Sequence, residues 1–334
     1  MSGIIGHMTY AMLGHKAIAK RNLAVARLIQ HYQDSYLDGS YLGADIMTLP
    51  GGVCPKCNEE FGYGGSAPEK CPDDGTAIVP YQLMFDGLSY TPNDIHQMFY
   101  GRTHLVFGWN ANQKEYILKW SQLTDYFVAV VADTIEFYPE NRRGVAYVLG
   151  WISHIIGDAL IKSVQPGLNL YLLNGTYTPQ NRPIQDLFSF HEVGRKELEL
   201  NWSNLMFNLV ETPVEPIQAH FMRLTQPKGQ LGAQVPEAWA PEYQQLLHIV
   251  MTENRRYQRV RNNRLLRQME ICRTLQEWMC DNELSRITGG LSYQQMIKMA
   301  KDANFRAALS QIGETISVFF EEIAKRVPIL GNDD

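Results

Sequence analysis

Between Gly144 and Lys162 the chain reads GVAYVLGWISHIIGDALIK, apolar nearly all round, with His154 and Asp158 set inside the run. At helical rise the stretch makes about five turns. A helix apolar on every side has to be buried, so the rest of the fold must wrap it. His154 and Asp158 lie four residues apart and project from one face. A buried carboxylate beside a buried imidazole is unfavourable unless something pairs or coordinates them. A metal ion would satisfy both at once. One hydrogen bond, with the carboxylate orienting a core histidine, is the simpler use of the same spacing. Length alone admits a transmembrane span, but two ionisable groups near its centre argue against one.

The remainder of the sequence supports a large buried core. The chain has 334 residues, 45% of them hydrophobic, and a formal net charge of −5. That charge provides no global attraction to nucleic acid. The opening MSGIIGHMTY lacks the basic and apolar segments of a secretory leader. Five cysteines without such a leader suit a reducing compartment, where thiols pack or bind metal. The expected location is cytoplasmic.

Apolar spacing predicts an amphipathic helix over residues 14 to 36, with His7 just before it and Asp45 just after it. Further helices are expected over 113 to 137, over 184 to 209 and over 293 to 327, and residues 243 to 283 read as one long helix or a broken pair. Residues 164 to 183 read as a loop long enough to be functional. Seven arginines between 255 and 273 are spread around their helix. They mark either a solvated or partner-binding helix or a contact with an anionic surface.

Residues 51 to 79 change character and become rich in Gly, Pro and charge. Cys54-Pro-Lys-Cys57 is a knuckle-type pair. Cys71-Pro-Asp-Asp74-Gly75 repeats its form with Asp74 where a fourth cysteine would stand. Two such turns presenting thiolates to each other make a zinc ribbon, whose closed tetrahedral site is structural. Three thiolates and one carboxylate can hold zinc, with oxygen the harder ligand. The alternative is a ribbon that has lost its metal and persists as a loop.

Six phrases in a common order resemble the zinc-dependent phospholipase C family, especially the N-terminal catalytic domain of GPI-specific phospholipase D. They are Gly3-Ile4-Ile5-Gly6-His7, Gly14-His15-Lys16-Ala17-Ile18, Tyr32-Gln33-Asp34-Ser35-Tyr36, Ala44-Asp45, Arg102-Thr103-His104, and Leu149-Gly150-Trp151-Ile152-Ser153-His154 with Asp158. The match spans roughly residues 3 to 200, interrupted by the ribbon. It implies an all-α fold: a phospholipase C-like helical domain over 1–240, the zinc-ribbon-like insertion at 51–79, and a helical C-terminal extension over 241–334. It also implies a cleft lined by zinc ions. By position, His7, Asp45, His104, His154 and Asp158 are the implied ligands, with Asp158 bridging two metals. The family's third metal uses a further histidine and a His-x-x-x-acid pair. Here Lys162 or Val164 stands in the first region, and the pair reads His191 to Arg195, with Arg in place of the acid.

The resemblance therefore implies a metal-dependent hydrolase of a phosphoester, either a phospholipid or another phosphodiester, with a dinuclear zinc site activating water. Asp45 would orient or deprotonate that water. Arg195 and Lys162 would bind the phosphate, Arg by its fork and Lys as a point charge. The alternative is a metal-binding protein with divergent chemistry, or a scaffold that acts through its ribbon and arginines. A phosphate-containing small molecule or lipid is the expected partner.

Overall fold

The computed structural model describes residues 3–41, 49–62, 67–95, 109–110, 115–116, 120–161, 181–212, 241–274 and 291–327. It is predominantly helical with a few short strands, in agreement with the all-α expectation. In chain order the elements are α1 (Ile4–Ile18), α2 (Leu23–His31), α3 (Gln33–Ser40), β1 (Gly52–Val53), β2 (Glu60–Phe61), β3 (Val79–Pro80), β4 (Leu83–Phe85), β5 (Leu88–Tyr90) and α4 (Pro92–Ile95). They continue with β6 (Trp109–Asn110), β7 (Glu115–Tyr116), α5 (Leu123–Phe137), α6 (Arg142–Ile161), α7 (Asn181–Phe188), a π-helical turn (Ser189–Arg195), α8 (Trp202–Glu211), α9 (Pro241–Thr274), α10 (Tyr293–Asp302) and α11 (Phe305–Arg326).

These elements group into two compact units. One comprises residues 1–41, 119–212 and 262–334; the other comprises 42–118 and 213–261. The grouping cuts across the sequence boundary at 240/241, because α11 packs along α1 and α6 in the first unit. The ribbon, for its part, groups with the first half of α9.

In the first unit α6 is the axis. Every residue from Gly144 to Ile161 is buried. It is the one described helix long and apolar enough to cross a membrane, and the unit's own helices cover it completely. Its first turn is capped by Asn141, whose Oδ1 accepts the Gly144 N–H at 2.8 Å. That satisfies one of the donors a helix start leaves open. Helix α3 crosses α6 in backbone contact. A Cβ added at Gly39 would lie far inside the Tyr147 carbonyl, and one added at Gly150 far inside the Tyr36 carbonyl. Only glycine allows this approach from both sides. The pair is further tied by Arg143, which grips Asp34 through both terminal nitrogens at 3.2 and 2.8 Å. In addition, Ser35 Oγ donates to the Arg143 carbonyl at 2.9 Å.

Several boundaries differ from the sequence reading. Residues 14 to 36 form the end of α1, all of α2 and the start of α3, so His7 sits inside α1 instead of before a helix. The break follows from Asn22, which leaves helical geometry (φ −144°) to cap α2 by accepting the Val25 N–H. The helix expected from 113 starts at Leu123, and Glu115–Tyr116 pairs as a strand with Trp109–Asn110. The 184 to 209 helix is interrupted by the π turn and by a turn at Glu199 (φ +52°). The last stretch divides at Asn304 (φ +53°). Of the loop expected at 164 to 183, residues 164–180 lie outside the described residues, and residues 181–183 instead begin α7.

The α3–α6 contact makes a direct prediction. Gly150→Ala would gain about 1 kcal/mol of helix propensity but overpack a backbone that cannot yield, at a cost of about 1–3 kcal/mol or more. The expected result is a net loss of stability in denaturant unfolding. An unchanged or raised midpoint would mean that the two backbones are not in contact.

Candidate metal centres

Among the described residues, two groups bring ligand atoms within 4.8 Å of one another: His7, His154 and Asp158 in the first unit, and Cys54, Cys57, Cys71 and Asp74 in the second.

The buried His–Asp centre is built from two helices. Helix α6 presents His154 and Asp158 one turn apart, and α1 presents His7. All three are at most 2% exposed. His7 and His154 stack with ring centroids 4.0 Å apart and planes 14° from parallel. His7 Nε2 stands 3.5 Å from Asp158 Oδ1. That is long for a hydrogen bond. It is close to the ~3.3 Å expected between two donors each about 2.0–2.2 Å from one tetrahedral ion. His154 Nδ1 donates to the Ser40 carbonyl at 2.9 Å, at the end of α3. The bond fixes the ring and its tautomer, leaving the Nε2 lone pair for a metal. Gly157, one residue before Asp158, faces the Tyr10 ring so closely that a Cβ could not fit. Tyr10 also meets His7 edge-on at 5.7 Å, and the Tyr41 ring lies 6.0 Å away. The spacing of His154 and Asp158 marked two of the three residues that come together here, and the family resemblance implied the third, His7. The Ser40 carbonyl was invisible to motif reasoning, since a backbone acceptor carries no side-chain signature.

The other expected ligands fare differently. Asp45, His104 and Lys162 lie outside the described residues. His191 is buried in the π turn and donates from Nε2 to the Met269 carbonyl at 2.9 Å, so a metal on His191 would be held through Nδ1. Arg195 pairs with Glu270 and lies over the Phe190 ring, 5.2 Å from its centroid. Together with Arg267, Asn201 and Ser203 it lines a surface groove of about 600 Å³. Glu192 is engaged by Lys196 at 2.6 Å.

The second centre is a pair of matching turns. Cys54 C=O accepts the Asn58 N–H and Cys71 C=O accepts the Gly75 N–H, both at 2.9 Å. Cys54 N–H donates to Glu59 C=O at 2.9 Å, and Cys71 N–H to Thr76 C=O at 2.7 Å. The two knuckles thus repeat the same offsets. Each closes through a left-handed residue, Asn58 (φ 60°) or Gly75 (φ 72°), a conformation those two types tolerate best. In this superposition Asp74 occupies the place of Cys57. The Cys57 and Cys71 sulfurs are 3.9 Å apart, and Cys54 Sγ lies 3.8 Å from an Asp74 oxygen. The Cys57 N–H directed at Cys54 Sγ lowers that thiol, whereas burial pushes Cys71 up to about 11. The Thr76 N–H holds Asp74 below the usual carboxylate range.

Beneath the turns, strands β2-β1-β3 form a small antiparallel sheet in the register Gly52↔Phe61 and Gly52↔Pro80. Cys54, Phe61 and Cys71 make its core. Helix α9 anchors it, with Arg256 bound to Glu60 through two bonds of 2.6 and 2.8 Å and Tyr257 Oη donating to the Gly62 carbonyl at 2.6 Å. Arg255 is buried and donates to the Met251 carbonyl. Part of the arginine-rich segment is therefore internal structure.

Comparison of the chain with protein-family models, curated proteins and solved structures finds no match. The centres stand on their own geometry.

Two substitutions separate them. His154→Ala is expected to lower metal content at the buried centre and leave the ribbon loaded, while Cys71→Ser is expected to do the reverse. Elemental analysis of the two purified variants and the double variant checks this. Equal metal content in all three and in the parent would remove both assignments.

Proposed function

We propose that this chain is a zinc-dependent hydrolase of a phosphoester, with the His7–His154–Asp158 centre as its working site and the cysteine ribbon as a structural zinc site. The observation that carries the reading is the convergence of two histidines and a carboxylate, wholly buried in an apolar helical core, with one histidine oriented by a backbone carbonyl. Structural carboxylate–histidine pairs need one hydrogen bond. A second imidazole stacked against the first adds nothing to such a pair and suits a shared cation. The order of phrases resembling the zinc-dependent phospholipase C family supports the same chemistry.

Zinc held by these residues would supply a Lewis acid for a phosphoryl oxygen and bring a water's pKa toward 7. Ser40 C=O holds the His154 ring in place. Asp158 brings the negative charge that makes a buried cation affordable. The apolar wall of α6 and Tyr10 keeps bulk water away, which strengthens each electrostatic contact. A second zinc would require Asp45 and His104, the partners that the family resemblance implies, with Asp45 also the base. Arg195 and Lys162 would meet the phosphate. For Arg195 this means exchanging the Glu270 carboxylate for a phosphate oxygen. An anionic surface, if the substrate is a lipid, would meet the later arginines of α9, Arg264 and Arg267, which are exposed.

Hydrolysis of bis(p-nitrophenyl) phosphate by the zinc-loaded protein tests the reading. Asp158→Asn is expected to lower the rate by at least about 10²-fold, the upper end of what loss of a ligand's supporting partner does. Loss of phosphodiesterase activity in Cys71→Ser alone, with none in Asp158→Asn, would place the chemistry elsewhere. Metal binding without turnover of any phosphoester favours the scaffold alternative.

A separate experiment addresses Arg195. Orthovanadate binding should weaken by about 1.5–3 kcal/mol in Arg195→Ala, the range for a charged hydrogen bond, with metal content unchanged. Unaltered vanadate affinity would leave Arg195 as a surface partner of Glu270 only.

A further inference from the structure

The ribbon differs from a closed four-thiolate site in two ways that act together. Its three cysteines are unequally accessible: Cys54 and Cys71 are buried and Cys57 is exposed. Its fourth ligand position is Asp74, a hard oxygen donor in a set that otherwise favours soft metals. That carboxylate is also shared, since it accepts the Thr76 N–H at 2.8 Å and stands 3.9 Å from the Lys56 ammonium. Metal retention at this site therefore depends on the three thiolates, and the most accessible of them, Cys57, lies against Cys71 at 3.9 Å between sulfurs. The Cys54 sulfur also lies within 4.8 Å of both.

We propose that the Cys57–Cys71 pair is an oxidation site through which peroxide expels the ribbon zinc. Hydrogen peroxide is attacked by the Cys57 thiolate, forming Cys57–SOH and hydroxide. The Cys71 thiolate then attacks the Cys57 sulfur, the S–O bond breaks, and a second hydroxide leaves. Two thiolates have lost one electron each, the peroxide O–O bond has taken both, and the new S–S bond needs the sulfurs to close from 3.9 Å to about 2.05 Å. Zinc is left with Cys54 and Asp74 alone, two ligands where a structural site needs four. Exposed Cys57 is the point of entry. Buried Cys71 is the resolving thiol, because its sulfur is already in contact.

The inference rests on the reading that the ribbon holds zinc, and the experiment keeps the two apart. Elemental analysis of the Asp158→Ala protein, whose buried centre is disabled, counts the ribbon zinc before oxidation. Hydrogen peroxide is then added with a chromophoric zinc chelator, followed by thiol alkylation and peptide mapping. The expected result is release of about one zinc per chain together with a Cys57–Cys71 cross-linked peptide, both reversed by dithiothreitol and added zinc. The same mapping on the unmodified protein gives the cross-link even if Asp158→Ala does not fold. Absence of ribbon zinc before peroxide defeats the zinc reading and this proposal with it. Ribbon zinc that survives peroxide, or release accompanied by a different cross-link, overturns the proposal alone. Cys57→Ser should abolish the cross-link; release at an undiminished rate from that variant also overturns it.

Discussion

The first unit depends on the contact between two backbones. Helices α3 and α6 approach so closely that neither Gly39 nor Gly150 has room for a methyl group. This brings the end of α3 against the middle of α6, where the Ser40 carbonyl reaches His154. If α3 stood off by a side chain's width, that acceptor would be out of hydrogen-bond range and the ring would be free to turn. The site is therefore oriented by a packing decision, reinforced at the other end of α3 by Arg143 and Asp34. Small residues here do positional work that a larger apolar residue would prevent, at some expense in helix propensity.

Much of this was legible beforehand. An apolar run with two ionisable residues at four-residue spacing is a strong signal, because burial of charge without compensation is so unfavourable. The ribbon was equally legible. Paired knuckles have fixed spacing, and their backbone offsets repeat to the residue. Helix boundaries were less so. A helix from 14 to 36 satisfied the periodicity, yet Asn22 has a side chain that competes for backbone donors and turns the chain into a cap. Periodicity continues across such a break while the helix does not. The π turn at Ser189–Arg195 was hidden for a related reason. One extra residue per turn changes the direction of His191 and Arg195 without altering the composition.

Long-range partners were the least legible. In sequence Arg195 stands where the resembled motif has an acid, and its ion pair comes from Glu270, remote in sequence. His191 found the Met269 carbonyl, again a backbone group. The arginines from 255 onward are spread around their helix, and their sequence does not show that Arg255 turns inward or that Arg256 is fastened to Glu60 of the ribbon. Charge at a position can be counted from sequence, but whether it is already compensated depends on which elements the fold brings alongside.

The two candidate centres differ in their donors and in what surrounds them. At the buried centre the donors are neutral imidazoles and one carboxylate, held by helices that are rigid because α6 is covered on every side. Such a site has few protein charges, so a bound cation stays electron-poor and polarising. At the ribbon, three sulfurs would donate charge heavily to the metal, quenching its Lewis acidity, and short turns would hold it in place of a core that a three-stranded sheet of two-residue strands cannot build. Sulfur ligands suit a metal that organises the chain; nitrogen and oxygen ligands suit one that acts on a substrate. The division of labour proposed for the two centres follows from that difference in donors.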